Sequence, residues 1–168
     1  MKKRFLGLLL LPLMIAACSG QNSASIPDYS YDNEIVRKNR LEILVELGEL
    51  ANETRCFKYW SKKQIGDKEK VLEEYIDCLF MTLYFCHMTD VSLDERFPKH
   101  SNSDLIDTFI NLFDLTSNIK EELDKKTVKK VLVELEYLAV LLGFTIDDLE
   151  RATNKKSDII EERFNSEY

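Results

Sequence analysis

Apolar side chains recur at intervals of three and four residues through most of the chain beyond residue 33, which is the spacing of one face of an α-helix. The clearest stripe contains Val128, Val131, Leu132, Leu135, Leu138, Ala139 and Leu142. These stripes predict five helices, at about 33–57, 67–88, 101 or 103 through 116, 125–142 and 145–164. No segment has the alternation that we would assign to a strand. Helices joined by short loops predict an all-α fold, an antiparallel bundle of four to five helices.

Polar residues and one glycine mark the expected helix ends. The predicted N-caps are Asp32 or Asn33 for the first helix, Asp67 for the second, and Ser101 or Ser103 for the third. Gly143 suits the position just beyond the end of the fourth helix. Thr145 and Asp148 resemble a capping box that begins the fifth helix, with Asp in place of the usual Glu or Gln.

The first 17 residues have the pattern of an export signal. Lys2, Lys3 and Arg4 precede an apolar run, Phe5 to Ala17, which is too short to span a bilayer as a helix. The run ends Ile-Ala-Ala-Cys, which resembles the lipobox of bacterial lipoproteins and implies cleavage before Cys18 and lipidation of Cys18. Residues 18–33 are polar and Ser/Asn-rich, as expected of a flexible tether, and residues 34–168 form the predicted domain. The resemblance implies a protein that is lipid-anchored to the bacterial cell membrane on its extracytoplasmic side. The alternative is a cytoplasmic protein whose N-terminus is wrongly assigned.

The charge balance changes once this signal is set aside. The whole chain has 168 residues, 23 basic and 30 acidic, with a net charge of −7. Cleavage before Cys18 removes 17 residues and three positive charges from these totals, which leaves 151 residues and a net charge of −10. This acidic balance argues against a binding groove for a nucleic acid polymer, because binding to a phosphate backbone needs clustered positive charge. Only 5 Gly and 3 Pro agree with a helical domain.

Three cysteines remain after Cys18. Cys56, Cys78 and Cys86 are odd in number and form no Cys-x-x-Cys motif, so we interpret them as small buried apolar side chains on helices. A disulfide between Cys78 and either of the others is the alternative in an oxidising compartment.

The first two predicted helices carry acids in apolar surroundings. At 100° per residue, Glu42, Glu46, Glu49 and Glu53 fall within about 60° of one another. Apolar residues cover nearly all the rest of this helix, so we expect it to be buried together with part of the acid stripe. On the second helix Glu74 and Asp77 lie one turn apart, and their stripe also contains Val71, Cys78, Met81, Phe85 and Met88.

Antiparallel packing of the two helices would bring Glu46, Glu49, Glu74 and Asp77 together. Buried carboxylates must be protonated, paired with bases or bound to a cation. Four carboxylates without a nearby histidine favour Mg²⁺ or Mn²⁺ over Zn²⁺; His87 and His100 lie elsewhere and are interpreted as structural or exposed. From periodicity alone, a bundle with partly solvated acids stays as the alternative.

The run ELGELANETRCFKYWSKK at 46–63, followed by LEEYID at 72–77, closely resembles the dimeric all-α dUTPases, which belong to the MazG-like nucleoside triphosphate pyrophosphatases. The superfamily motif is Glu-x-x-Glu followed by Glu-x-x-Asp, and this chain has an acid of the right type at all four places. The resemblance implies Mg²⁺ held by Glu46, Glu49, Glu74 and Asp77. It also implies that Glu49 orients or deprotonates the water that attacks phosphorus, releasing pyrophosphate from dUTP or a related nucleotide.

Basic residues follow the first acid pair and recur in the last helix. The candidate phosphate-binding residues are Arg55, Lys58, Lys62, Lys156 and Arg163, and Lys63 lies in the same basic run. Trp60 either stacks on a base or packs on the bundle. The resemblance also implies a homodimer, for which Ile110, Val133 and Leu141 are candidate contacts, although an intrachain core would explain them nearly as well.

Two departures from the family motif open a second hypothesis. In the C-terminal segment Lys156, Arg163 and Tyr168 match, whereas the places of two Asn, one Gln and one Gly do not. The family's additional N-terminal helix, which contributes to uracil recognition, is replaced here by the signal and tether. The first hypothesis is therefore a dUTPase-like pyrophosphatase with doubtful base selectivity. The second is a catalytically inactive surface lipoprotein that uses the same bundle for binding or dimerisation.

Overall fold

The computed structural model describes residues 33–63, 66–91, 104–120 and 123–166, without the side chains of residues 161 and 163–165. These residues form five helices, α1 Asn33–Thr54, α2 Lys68–Met88, α3 Leu105–Ser117, α4 Lys125–Leu141 and α5 Ile146–Ser166. The described part of the chain contains no strand, so the prediction of an all-α bundle is confirmed. The predicted signal peptide, Cys18 and tether lie outside the described residues, as do Ser101, Ser103 and His100.

Most predicted helix ends are confirmed. The Asp67 side chain accepts a hydrogen bond from the Glu69 amide at 3.1 Å and caps α2. Gly143, with a φ of 72°, follows the C-cap of α4. The capping box of α5 is closed from both sides, because the Asp148 amide donates to Thr145 Oγ1 at 3.1 Å and the Thr145 amide donates to Asp148 Oδ2 at 2.9 Å.

Two predicted ends are wrong. Helix α1 stops at Thr54 rather than near Phe57, because Arg55 takes a left-handed φ of 58° that cannot continue an α-helix. Helix α3 is capped by Asp104 instead of a serine, since its carboxylate accepts from the Asp107 amide at 2.9 Å. The apolar stripe shows that a helix begins near these residues but does not show which of several polar residues caps it. The backbone geometry determines which side chain reaches the free amides.

Helix α2 lies at the centre of the bundle and contacts α1, α4 and α5. Its buried Tyr75 donates a hydrogen bond to the Leu135 carbonyl of α4 at 3.2 Å and packs edge-on against Phe144, with ring centroids 5.4 Å apart. Helix α1 is less buried than its composition predicted. Leu41 is 63% exposed and Val45 is 49% exposed, because only the opposite face of α1 packs on α2 and α3.

Helices α1 and α2 form an antiparallel hairpin, whereas α2 and α5 run parallel to each other. Salt bridges join Lys68 to Asp148 at 2.8 Å and Arg151 to Glu69 at 2.7 Å, so both helices begin at the same end of the bundle. Among the described residues, no helix is both long enough and apolar enough to cross a membrane.

Candidate metal centre

The hairpin of α1 and α2 is held together at its loop end by a close backbone contact. The Gly66 amide donates to the Glu53 carbonyl at 3.1 Å, which ties the start of α2 to the last turn of α1. A Cβ atom at Gly66 would lie only 2.9 Å from that carbonyl oxygen and from Glu53 Oε2. Glycine therefore permits the close approach that sets the two acid pairs opposite each other.

Three of the four predicted ligands converge about two to three turns from this contact. One carboxylate oxygen from each of Glu46, Glu74 and Asp77 lies within 4.8 Å of the others, and all three residues are half-buried. Buried apolar residues next to these acids in sequence, Leu47 on α1 and Ile76 and Cys78 on α2, hold their helices in place. The predicted convergence across the antiparallel pair is thus present in the described residues.

The three acids oppose one another's ionisation. Burial, followed in order of effect by the charges of Glu49, Asp77 and Glu46, raises the pKa of Glu74 to about 7. The pKa of Glu46 is also raised, first by burial and then by the charge of Asp77. Acids in such a cluster stay ionised at neutral pH when a cation offsets their mutual repulsion.

Glu49 is placed differently from the other three. It is exposed and lies outside the set of three converging oxygens. Its charge nevertheless raises the pKa of both Glu74 and Glu46, so it stands close to them at the solvent side of the cluster. A carboxylate at the rim reaches solvent water as well as the cluster.

Lys156 of α5 completes the surroundings of the acids. Its Nζ lies 2.6 Å from Asp77 Oδ1, and the side chains of Lys156 and Asp77 are 28% and 19% exposed. The parallel arrangement of α2 and α5 brings the two residues together. Sequence reasoning named Lys156 as a phosphate contact but did not predict its salt bridge with a metal-ligand candidate.

Two further basic residues of α5, Arg151 and Lys155, lie beside α2 and were not predicted from the sequence. Arg151 forms a two-point salt bridge with Glu69, at 2.7 and 2.9 Å, which holds the pKa of Glu69 below its usual value. Arg151, Lys155 and Lys156 line a cleft between α2 and α5 that reaches Asp77. The spacing of Arg151 and Lys155, four residues apart on one helical face, was the signal that could have identified them.

The basic loop after α1 makes its own local contacts. Arg55 donates to Ser61 Oγ at 2.6 Å, and Lys58 donates to the Asn52 carbonyl at 3.1 Å and to its side-chain oxygen. Lys62 and Lys63 are exposed. Among the described contacts of this loop, none joins these candidate phosphate-binding residues to the acid cluster.

Trp60 is not packed into the bundle. It is 65% exposed and contacts Tyr59 and Phe57 edge-on, with ring centroids 5.1 and 6.1 Å away. The interpretation that it packs on the bundle is therefore wrong, and most of the indole is exposed to solvent. The Arg163 side chain and Tyr168 lie outside the described residues.

The three cysteines of the helical domain are free thiols. Cys78 and Cys86 are buried in α2 as free thiols, and burial, more than the neighbouring acids, raises the pKa of Cys78 well above its ordinary value. Cys56 is also a free thiol, but it lies in the loop and not on a helix.

The three candidate dimer contacts differ in exposure. Ile110 and Leu141 are exposed, whereas Val133 is buried, so Val133 is not available to a partner.

The donor set suits a small divalent cation. Carboxylate oxygens are the ligands that Mg²⁺ and Mn²⁺ prefer, and the site contains oxygen donors from two helices without imidazole or an ionised thiolate. Binding a divalent cation would offset the repulsion that raises the pKa values of Glu46 and Glu74. Water molecules can occupy the coordination positions that three carboxylates leave open.

Comparison with known proteins adds one finding. The model of a protein family described as dUTPase matches residues 21–168, which includes all five helices and all four acids. No curated protein matches the chain.

Proposed function

Because the chain belongs to the dUTPase family, we propose that it is a Mg²⁺-dependent nucleoside triphosphate pyrophosphohydrolase. Its reaction would convert dUTP and water to dUMP and pyrophosphate. The observation that carries this proposal is the convergence of Glu46, Glu74 and Asp77 within 4.8 Å, with Glu49 close by on the solvent side. Mn²⁺ would be an acceptable substitute for Mg²⁺ at such a site.

The four acids divide into holding and reacting roles. Glu46, Glu74 and Asp77, with Glu49 at the rim, would hold the cation, which when bound neutralises phosphate charge and polarises the phosphoryl group. Glu49, the most exposed of the four, would orient a water molecule and accept its proton as the oxygen attacks phosphorus. The bond to the departing pyrophosphate breaks, and the nucleoside monophosphate retains the new oxygen.

Basic side chains would bind the triphosphate. Lys156 is already at the acid cluster, and Arg151 and Lys155 line the adjoining cleft. The other phosphate-binding candidates are Arg55, Lys58, Lys62 and Arg163. These cations would offset the repulsion between an acidic protein and a polyanionic substrate.

Trp60 is the candidate residue for contact with the nucleotide base. Trp60 offers an exposed aromatic face on which a base could stack. The N-terminal sequence is predicted to be a signal peptide and tether where the family has a recognition helix. We therefore propose dUTP as the first substrate to examine and expect weaker discrimination against other nucleotides.

The setting of the enzyme is proposed from its N-terminal sequence and its family. Cleavage before Cys18 and lipidation of that residue would anchor the helical domain at the outer face of a bacterial membrane. A homodimer would cover exposed apolar side chains of α3 and α4, among them Ile110 and Leu141.

A nucleotide panel tests the activity directly. The purified protein is incubated with dUTP, dTTP, dCTP, UTP and ATP, with and without Mg²⁺, and released pyrophosphate is measured. We expect Mg²⁺-dependent release that Glu49→Gln abolishes. The matched control is Glu42→Gln, an exposed acid two turns earlier on α1, which should retain wild-type activity.

The alternative is a bundle that binds without turnover. Absence of pyrophosphate from every nucleotide, with wild type and Glu49→Gln indistinguishable, would reject the enzyme and leave the binding module. Release that Glu74→Ala abolishes would reject the binding module.

A further inference from the structure

Lys156 contacts Asp77, one of the three acids that converge at the candidate cation site. The ammonium lies 2.6 Å from Asp77 Oδ1, the carboxylate oxygen that is buried in this structure. Among the described residues, Oδ1 has no hydrogen-bond partner, so its described contact is the charge of Lys156.

The ammonium and a divalent cation would compete for the same acids. Magnesium binds carboxylate oxygen at about 2.0–2.1 Å. An ammonium already in contact with the Asp77 carboxylate would be repelled by the double charge of an ion bound to the same acids. The reach of Lys156 extends beyond Asp77, because its charge also lowers the pKa of Glu46 against the effect of burial.

The rest of α5 is attached independently of this contact. Arg151 binds Glu69 through two hydrogen bonds, and Asp148 contacts Lys68 at 2.8 Å, both near the beginning of α5. Leu149 and Thr153 are buried on the same helix. Separation of Lys156 from Asp77 would thus leave α5 docked on α2, with the ammonium at the edge of the cluster.

We propose that Lys156 serves as the counter-cation of the acid cluster before a divalent ion binds and is displaced from Asp77 when the ion enters. This role rests on the cation site of the proposed function. The displaced ammonium, carried by a helix that stays in place, is then free to bind a phosphate of the incoming nucleotide. Cation binding and substrate binding are coupled through one side chain.

Lys155 provides a matched control for the effect of charge. It is the exposed neighbour of Lys156 on α5 and lines the same cleft, but no contact with Asp77 is described for it. Replacing either lysine with methionine removes one positive charge and retains a long side chain. A general electrostatic effect would appear in both variants, whereas displacement from Asp77 concerns Lys156 alone.

The test is Mn²⁺ binding to the full-length wild type, Lys156→Met and Lys155→Met without nucleotide, measured by calorimetry. Loss of a competing ammonium should tighten binding to Lys156→Met by about fivefold or more. Lys155→Met should stay within about twofold of wild type. Equal affinities in the two variants, or weaker binding to Lys156→Met than to Lys155→Met, would overturn the role of Lys156.

Thermal unfolding gives a second measurement, which also shows whether each variant is folded. Without divalent ion, Lys156→Met should melt below Lys155→Met, because its acids lack their counter-cation, and saturating Mn²⁺ should close this gap. Lys156→Gln should behave like Lys156→Met in both measurements. A gap that Mn²⁺ leaves unchanged would reject the exchange of cations. Failure of wild type and all variants to bind Mn²⁺ would reject the cation site itself, and with it the proposed function.

Discussion

The carboxyl group of Glu74 stays protonated to a higher pH than a free glutamate. Burial and the charges of four neighbouring acids, Glu49, Asp77, Glu46 and Glu73, raise its pKa to about 7. Its sequence neighbour Glu73 has the same side chain but is exposed. The two residues therefore separate the effect of the cluster from the effect of removing any acid from this helix.

We predict that Glu74→Gln lowers the rate of pyrophosphate release about 100-fold or more, because an amide cannot replace a charged oxygen ligand. The same change should raise the melting temperature at pH 8 without divalent ion, since it removes repulsion among the acids. Glu73→Gln should retain the wild-type rate and raise the melting temperature less than Glu74→Gln does, because the charge of Glu73 has a smaller effect on the pKa of Glu74 than those of Glu49, Asp77 and Glu46. Equal losses of activity in the two variants would contradict the assigned site.

We predict a pH dependence of opposite sign for cation affinity and for the stability of the cation-free protein. The pKa of Glu74 is 4.5 for an ordinary glutamate and about 7 when folded, so the folded state holds the proton more tightly. This contribution to stability is full below about pH 4.5 and is lost as pH rises through about 7. Mn²⁺ affinity should instead rise over the same interval, because the ion displaces that proton.

Thermal unfolding and calorimetry from pH 5.5 to pH 8 would measure both trends. Glu74→Gln, which cannot titrate at this position, should show a smaller loss of stability with pH than the wild type. Parallel stability curves for the two proteins would show that the ionisation of Glu74 is not the cause.

At the scale of helices, the register of the α1–α2 hairpin decides whether the acid pairs meet. The hairpin contains one glycine at a crowded position and one at an open position. A Cβ atom at Gly66 would approach Glu53 backbone oxygen to 2.9 Å, whereas one at Gly48, within α1, would have no neighbour within 4 Å.

Alanine at these two positions should therefore act in opposite directions. Gly66→Ala should reduce the free energy of unfolding by about 1–3 kcal/mol, because backbone must move to admit the methyl group. Gly48→Ala should increase it by about 0.5–1 kcal/mol, because alanine loses less conformational entropy in a helix. Urea unfolding measures both, and a stabilised Gly66→Ala would disprove the close contact.

At the scale of the assembly, the exposed apolar side chains of α3 and α4 are where the proposed homodimer would form. Ile106 and Ile110 lie one turn apart on α3, and both are exposed, as are Val140 and Leu141 of α4. If a second copy covers them, Ile110→Glu should shift the protein from dimer to monomer in sedimentation velocity. A wild-type protein that sediments as a monomer would remove this prediction.

The predicted anchor has a separate test. In a bacterial host, wild type should incorporate radiolabelled fatty acid and partition with membranes, whereas Cys18→Ser should do neither. Cys56→Ser is the control, because it removes a thiol from the helical domain and leaves the lipobox intact. Labelling of Cys18→Ser would place the lipid elsewhere.

Much of the local structure was predictable because its causes are local. Apolar periodicity identified all five helices, and the hydrogen bonds of Asp67 and of Thr145 with Asp148 depend only on residues up to three positions away. The end of α1 was not predictable in the same way. Nothing in the composition of residues 54–57 requires the left-handed φ of Arg55.

Periodicity and residue type were enough to predict the helical class and the four acids, because they specify which side chains share one helical face. The convergence of Glu46, Glu74 and Asp77, the rim position of Glu49 and the contact of Lys156 with Asp77 are visible only in the packed bundle. Those relations depend on the rotation and register of packed helices. Packing contacts such as Gly66 on Glu53 and Arg151 on Glu69, between residues distant along the chain, set both.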